Sequence, residues 1–77
     1  MRYLIIFRNL DDVERFVSTV TNFDCDFNVY DDHQCIDGKS IMAMANLDLK
    51  KTFVLEIVTD DEDLLKEIER EIGDNIL

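Results

Sequence analysis

The spacing of the hydrophobic positions changes along the chain, and each spacing predicts a different element. Tyr3 to Phe7 is an unbroken apolar run, which is typical of a strand inside a sheet or one covered on both faces. A helical repeat follows and continues to about Thr21, and either Asn9 or Asp11 is suited to cap its start. We expect this first helix to turn its apolar stripe toward the core, through Val13, Phe16, Val17 and Val20.

The middle and the end of the chain return to strand patterns before a last helix. Residues 25–30 alternate between apolar and polar side chains, which predicts a half-buried strand, and the polar residues 31–34 form a turn into a return strand at 35–37. Residues 52–58 are rich in β-branched and aromatic side chains, as strands are. Acidic residues 60–63 favour a helix start and Gly73 favours its end, with an inward stripe of Leu64, Leu65, Ile68 and Ile72.

A short apolar segment after Gly38 and Lys39 predicts one more helix, with Ser40 as its N-cap. Helical spacing places Ile41, Met44 and Ala45 on one side and Met42 on the other. This apolar arc is wider than a surface helix can bury, so we expect part of it to stay outside.

Together these elements predict an α+β fold in the order β-α-β-β-α-β-α. The sheet is expected to be four-stranded and antiparallel, with three helices on one face. The chain has 77 residues, and we expect one domain over residues 1–77.

Composition narrows the classes of function. The formal net charge of −10 disfavours nucleic acid as a partner, because phosphate binding needs a clustered basic face. No apolar run has the length of a membrane span, and we expect a cytoplasmic protein that does not enter a membrane. Cys25 and Cys35 are too few for a disulfide framework, and we expect two free thiols.

Motifs of catalysis and metal binding are weak in this chain. His33 is the single imidazole, and we favour a solvated turn residue over a phosphoacceptor or a metal ligand. Gly38-Lys39-Ser40 looks like the end of a phosphate-binding P-loop, but His33 occupies the place of the required first glycine. We therefore expect no enzyme activity, no catalytic residue, no cofactor and no metal site.

Lys39-Ser40-Ile41-Met42 resembles the start of the regulatory-serine helix of HPr, the small phosphocarrier of the bacterial sugar phosphotransferase system, in its Gram-positive form. The resemblance runs without a gap from about Phe23 to Leu47, and more loosely through the last strand and helix. It implies the open-faced β-sandwich of HPr.

The resemblance also implies that the phosphocarrier site is degenerate. Members of the family carry the phosphorylated histidine in a Gly-x-His-x-Arg-Pro loop after the first strand, whereas this chain has only the shorter Arg8-Asn9-Leu10-Asp11-Asp12. Asn9 falls at the position of the histidine, and an amide nitrogen cannot serve as the nucleophile. Asp11 and Asp12 would also repel a phosphate, so we expect no phosphocarrier activity.

Ser40 corresponds to the serine that HPr kinase phosphorylates in Gram-positive HPr, after which the phospho-form binds a LacI-type transcriptional regulator. Catabolite-repression HPr keeps this serine and lacks the histidine, as this chain does. The resemblance thus implies a regulatory protein-interaction domain with protein partners of these two kinds. Ile41, Met42 and Ala45 correspond to the family's docking patch; the alternative is that they are core or incidental surface residues.

Other interpretations stay open at the level of sequence. Ser40 is also explained as a helix cap with no further role. Phosphocarrier activity through a displaced histidine, His33, is one alternative function. A structural or ligand-binding βαββαβ domain unrelated in function to the phosphotransferase system is another.

Overall fold

The computed structural model describes residues 1–77 and contains the predicted elements in the predicted order. Four strands and three helices are followed by a short 3₁₀ helix that the sequence patterns did not indicate. Their bounds are β1 Arg2–Ile5, α1 Leu10–Val20, β2 Asp26–Tyr30, β3 Cys35–Asp37, α2 Ile41–Met44, β4 Phe53–Val58, α3 Glu62–Glu71 and the 3₁₀ helix Gly73–Asn75.

The four strands form one antiparallel sheet in the order β1-β4-β2-β3, which confirms the predicted α+β fold. The β2–β3 hairpin has Tyr30 opposite Cys35, as the turn at residues 31–34 requires. Both cysteines are free. The core lies between the sheet and the helices, so the other face of the sheet is open.

The first strand differs from its prediction. It covers Arg2–Ile5 and stands at the end of the strand order, and Leu4 is 55% exposed on the open face. The predicted cover on both faces is therefore wrong for Leu4. An unbroken apolar run does not reveal that one of its members faces outward.

The end of the chain pairs with β1. Ile76 bridges to Ile5, the Leu77 N–H donates to the Leu4 carbonyl at 2.9 Å, and the Ile6 N–H donates to the Asn75 carbonyl at 2.9 Å. These bonds occupy part of the outer edge of β1, where a strand would otherwise expose unpaired backbone groups.

The core follows the predicted stripes of the two longer helices. All four inward residues of α1 are buried, and α3 contributes Ile68 together with Ile72, while its other two stripe residues are half-buried. Phe7 packs edge-to-face on Phe16 with ring centroids 5.2 Å apart, a favoured aromatic geometry. The sixteen core side chains are Ile5, Phe7, Val13, Phe16, Val17, Val20, Phe27, Val29, Ile36, Met44, Leu47, Phe53, Leu55, Ile57, Ile68 and Ile72.

Side-chain caps fix where these helices begin. Asn9, one of the two candidates for α1, accepts from the backbone N–H of Asp12. Asp61 caps α3 by accepting from the N–H groups of Asp63 and Leu64 at 3.0 and 3.1 Å. The longest helix, α1, has 11 residues, and none has the length and apolar character needed to cross a bilayer.

Candidate functional site

Ser40 begins α2 and caps it, as predicted. Its backbone is extended, with φ −95° and ψ 106°, and its Oγ accepts a hydrogen bond from the Ala43 N–H at 3.3 Å. The Ser40 N–H donates to the Asp37 carbonyl at 3.0 Å, and the residue is half-buried. The hydroxyl thus has a structural contact, while its role as a phosphoacceptor stays a prediction.

The two residues before Ser40 hold this helix start against β2. The Gly38 N–H donates to the Phe27 carbonyl at 2.7 Å, and a Cβ on Gly38 would lie 3.0 Å from the Phe27 Cβ. The Lys39 ammonium donates to the Phe23 carbonyl at 2.6 Å and lies 5.9 Å from the centroid of the Phe27 ring. Glycine is needed at position 38 because the two backbones approach closely, not because of an unusual φ.

The three proposed docking residues all lie at the surface. Met42 is 81% exposed, Ile41 is 41% exposed, and Ala45 is also exposed. This arrangement excludes the interpretation of the three as core residues. Their role in docking a partner stays a prediction.

The inward side of α2 differs from the prediction that grouped Ile41, Met44 and Ala45. Of these three only Met44 is buried, and Leu47 is buried with it. The helix is a single turn of four residues, and it is followed by the i→i−3 bonds Asn46 N–H to Ala43 O and Leu47 N–H to Met44 O. In this tighter turn, residues three apart share a side, which aligns Met44 with Leu47 and leaves Ala45 outside.

Asn9, which the resemblance places at the degenerate phosphocarrier position, is the N-cap of α1. Its Oδ1 accepts from the Asp12 N–H at 2.9 Å, and its side chain is exposed. The amide therefore has the structural role of a cap at the place where the resemblance puts the phosphocarrier histidine.

Beside Asn9 lies a polar cluster that sequence reasoning missed: Arg8, Asp12, Asp74 and Asn75. Asp12 is 3% exposed, and its Oδ2 accepts from the Arg8 N–H at 3.0 Å, the Asn75 Nδ2 at 3.1 Å and the Arg8 Nη1 at 3.4 Å. Asn75 also donates to the Ile6 carbonyl at 3.0 Å, and the Arg8 Nη2 donates to the Asp74 carbonyl at 3.0 Å.

This polar cluster corrects the expectation for Asp12. Its carboxylate does not stand free to repel a phosphate, because the guanidinium of Arg8 and two N–H donors already bind it. Asp11 remains exposed. The four-residue spacing of Arg8 and Asp12 was a visible signal for their contact, but the partner from the end of the chain had none.

His33 lies in the exposed β2–β3 turn. The N–H groups of His33 and Gln34 donate to the Asp31 Oδ1 at 2.8 and 2.9 Å. The hydrogen bond from His33, followed by that from Gln34, holds the pKa of the Asp31 carboxyl below its ordinary value. No group of three or more His, Cys, Asp and Glu side chains is arranged to hold a metal ion.

Comparison with known proteins places this geometry in a family. The family model described as "PTS HPr component phosphorylation site" matches residues 12–72. The match begins after Asn9 and includes the whole of α2. A comparison with curated proteins finds no significant match.

Two solved structures share the fold over nearly the whole chain. HPr-C-His from Thermoanaerobacter tengcongensis is 26% identical, with a TM-score of 0.68 over 95% of this chain and 96% of that one. Crh, the catabolite repression protein of Bacillus subtilis, is 20% identical, with a TM-score of 0.65 over 95% of this chain and 87% of that one. The Crh crystal is described as an intertwined dimer with a swapped domain.

Proposed function

The chain belongs to the HPr family of the phosphotransferase system, and on that premise we propose that it is a cytoplasmic, non-catalytic regulatory domain acting through protein contacts at α2. It carries no phosphate at position 9, and phosphorylation of Ser40 switches its contacts in carbon regulation. One observation carries this proposal: Ser40 caps α2 beside the exposed Ile41 and Met42, while an asparagine caps α1. The resemblance places that asparagine, Asn9, where the family has its phosphocarrier histidine.

The start of α1 supports the part of the proposal that concerns phosphate transfer. Asn9 offers no nucleophile, and the nearby cation, Arg8, is already bound to Asp12 and to the Asp74 carbonyl. A phosphoryl group brought to Asn9 would find no nucleophilic atom to receive it. It would also find the Arg8 guanidinium already bound.

The charge around α2 supports the switch. Lys39, Lys50 and Lys51 are three of the eight basic residues of the chain, and Asp48 is the single acidic residue between positions 39 and 51. A phosphate at Ser40 adds about −1.5 to −2 charges to this segment, in which three lysines stand against one aspartate between positions 39 and 51. Its oxygens can accept the Ala43 N–H in place of Oγ, so the modification changes the charge of the docking surface without removing the cap.

The partners in this proposal are an HPr kinase-like enzyme and a LacI-type transcriptional regulator. The structural likeness to Crh, named for catabolite repression, supports this choice. In the bound state Met42 is expected to lie in the interface, since its long thioether side chain adapts to the surface that it meets.

The test is intact-mass analysis after incubation with ATP and a Gram-positive HPr kinase. We expect one added phosphate on the wild-type chain and none on Ser40→Ala. Ser18→Ala is the matched control, because Ser18 is the only other serine and is exposed on α1. Met42→Ser should keep the modification and weaken binding of the phospho-form to the regulator.

Two outcomes would contradict the proposal. One is no modification under conditions in which the same kinase modifies an ordinary HPr, which leaves Ser40 as a helix cap only. The other is acid-labile label from phosphoenolpyruvate, in the presence of the general phosphotransferase enzymes, that His33→Ala removes; this would establish a displaced phosphocarrier.

A further inference from the structure

The open face of the sheet carries its own pattern, separate from the α2 surface. Leu4 pairs with Val54, Val54 with Tyr30, and Tyr30 with Cys35, so these four residues form one line across all four strands. We call this line the apolar row. Directly paired residues point to the same side of a sheet, and Leu4, Val54, Tyr30 and Cys35 are all at least partly exposed.

The end of the chain extends the apolar row. The Leu77 N–H donates to the Leu4 carbonyl at 2.9 Å, and Leu77 is 67% exposed. Because Ile76 pairs with Ile5 on the core side, Leu77 falls beside Leu4 on the open side. The row then runs from the tail to β3 without a charged residue.

The next line of paired residues is polar, and most of its side chains bind a neighbour on this face. Its members are Arg2, Glu56, Asn28 and Asp37. Arg2 lies 3.6 Å from the Glu56 carboxylate and 5.5 Å from the centroid of the Tyr30 ring. Glu56 also accepts from Asn28 at 3.1 Å and from the Tyr30 hydroxyl at 2.9 Å. Arg2 is the only basic residue in the four strands, and its guanidinium is already paired with Glu56.

The hairpin end of the face is strongly acidic. Residues 24–37 contain Asp24, Asp26, Asp31, Asp32 and Asp37, and no lysine or arginine. The face therefore combines an exposed apolar line with an excess of acidic residues on its β2–β3 side, a pattern that attracts a basic partner and repels an acidic one.

We infer that the open sheet face is a second docking surface, and that its occupant is a protein segment with apolar side chains flanked by lysine or arginine. Apolar side chains of the segment cover Leu4 and Val54, and its cations face Asp26 and Asp32. A second copy of this chain does not fit, since it would bring two acidic hairpins and two chains of net charge −10 together. This inference does not depend on the function proposed for Ser40, because the helices cover the opposite side of the sheet.

The test uses a methyl-labelled chain and a synthetic peptide in which leucine and lysine alternate. We expect the methyl signals of Leu4, Val54 and Leu77 to shift on titration, while that of Met42 stays in place. Two matched peptides, one alternating leucine with glutamate and one alternating serine with lysine, should produce no such shifts, because each lacks one half of the required chemistry.

Variants separate the apolar from the electrostatic contribution. Leu4→Ser should weaken the affinity for the leucine–lysine peptide about tenfold, as expected for one buried aliphatic side chain. If Leu4→Ser fails to fold, Val54→Thr replaces it, because threonine keeps a high strand propensity, and it should weaken the affinity as well. Asp26→Asn combined with Asp32→Asn should also weaken it and should flatten its dependence on NaCl. Met42→Ser changes α2 on the other side of the sheet. It is the control, and it should bind the leucine–lysine peptide with the affinity of the wild type.

Three outcomes would overturn the inference. The first is equal binding of the serine–lysine peptide, which would show attraction by charge alone. The second is a set of shifts centred on Met42 that Leu4→Ser leaves unchanged. The third is self-association without peptide that Leu4→Ser abolishes, which would make the face an interface between two copies.

Discussion

Single residues in this chain have roles that depend on very close contacts. Gly38 is the clearest case, because its missing Cβ leaves room for the Cβ and carbonyl oxygen of Phe27. Its neighbours Lys39 and Ser40 then make specific bonds of their own, to the Phe23 carbonyl and the Ala43 N–H. The start of α2 is thus fixed residue by residue rather than by helix length.

We predict that Gly38→Ala destabilises the protein by about 1–3 kcal/mol, since the new methyl group overpacks a buried contact. It would meet Phe27 atoms at 3.0 and 3.1 Å, both on or next to the backbone of β2. Urea unfolding measures the change. Gly73→Ala is the matched control, as a Cβ there meets nothing within 4 Å; an equal loss in both variants would contradict the close-contact explanation.

The β1–α1 connection and the 3₁₀ helix are joined by hydrogen bonds. Asp12 in the first turn of α1 binds Asn75 of the 3₁₀ helix, and Arg8 reaches the Asp74 carbonyl. The Ile6 and Asn75 backbones are joined as well. The segment at the place where the resemblance puts the phosphocarrier loop therefore connects β1, α1 and the 3₁₀ helix structurally in this protein.

We predict that Asp12→Ala lowers the free energy of unfolding by about 1–3 kcal/mol, because it leaves the buried Asn75 amide and the part-buried Arg8 N–H without this acceptor. Asp11→Ala, an exposed neighbour in the same helical turn, is expected to change it far less. Chemical denaturation of both variants tests this. Similar values for the two would show that the polar cluster does not stabilise this connection.

The elements that the sequence predicted correctly are those with local patterns. The stripe of α1, the hairpin with Tyr30 opposite Cys35 and the Ser40 cap all depend on residues close in the chain. The burial of Asp12 and the exposure of Leu4 depend instead on contacts with the tail and with β4, more than 40 residues away along the chain. Periodicity contains no information about such partners, so these features could not be predicted.

At the scale of the whole molecule, tyrosine hydroxyls connect separate parts of the fold through carboxylates. Tyr3 of β1 donates to Glu69 of α3 at 2.7 Å, and Tyr30 of β2 donates to Glu56 of β4 at 2.9 Å. Burial, followed by the bond to Glu69, raises the pKa of Tyr3 to about 12. The bond to Glu56 is the main cause that raises the pKa of Tyr30 to about 12.

We predict that the hydrogen bonds of Tyr3 and Tyr30 stabilise the folded protein below pH 10. This stabilisation is lost as the pH rises toward about 12, where the two hydroxyls ionise in the folded protein. The unfolded chain ionises its tyrosines near pH 10, before the folded chain does, so unfolding releases protons in this range. The ultraviolet absorbance of phenolate follows both tyrosines directly, because the chain has two and no tryptophan. Phenolate formation in the folded protein near pH 10 would contradict the prediction. Titration of Tyr3→Phe shows which part of the absorbance change belongs to Tyr3 and which to Tyr30.

The bonds between the tail and β1 also affect how the chain closes during folding. The hairpin turn joins Tyr30 to Cys35 across a short loop, whereas the bond from Leu77 to Leu4 closes a ring that contains residues 4–77. The entropy lost in closing a ring grows with the logarithm of its length, so this contact is costly in entropy when it forms alone, and the pairing of Leu4 with Val54 shortens the ring that remains to be closed. Residues 4 and 77 are consequently held together by the β1–β4 pairing and by the elements between them, and loss of that pairing should weaken the contact between Leu77 and Leu4.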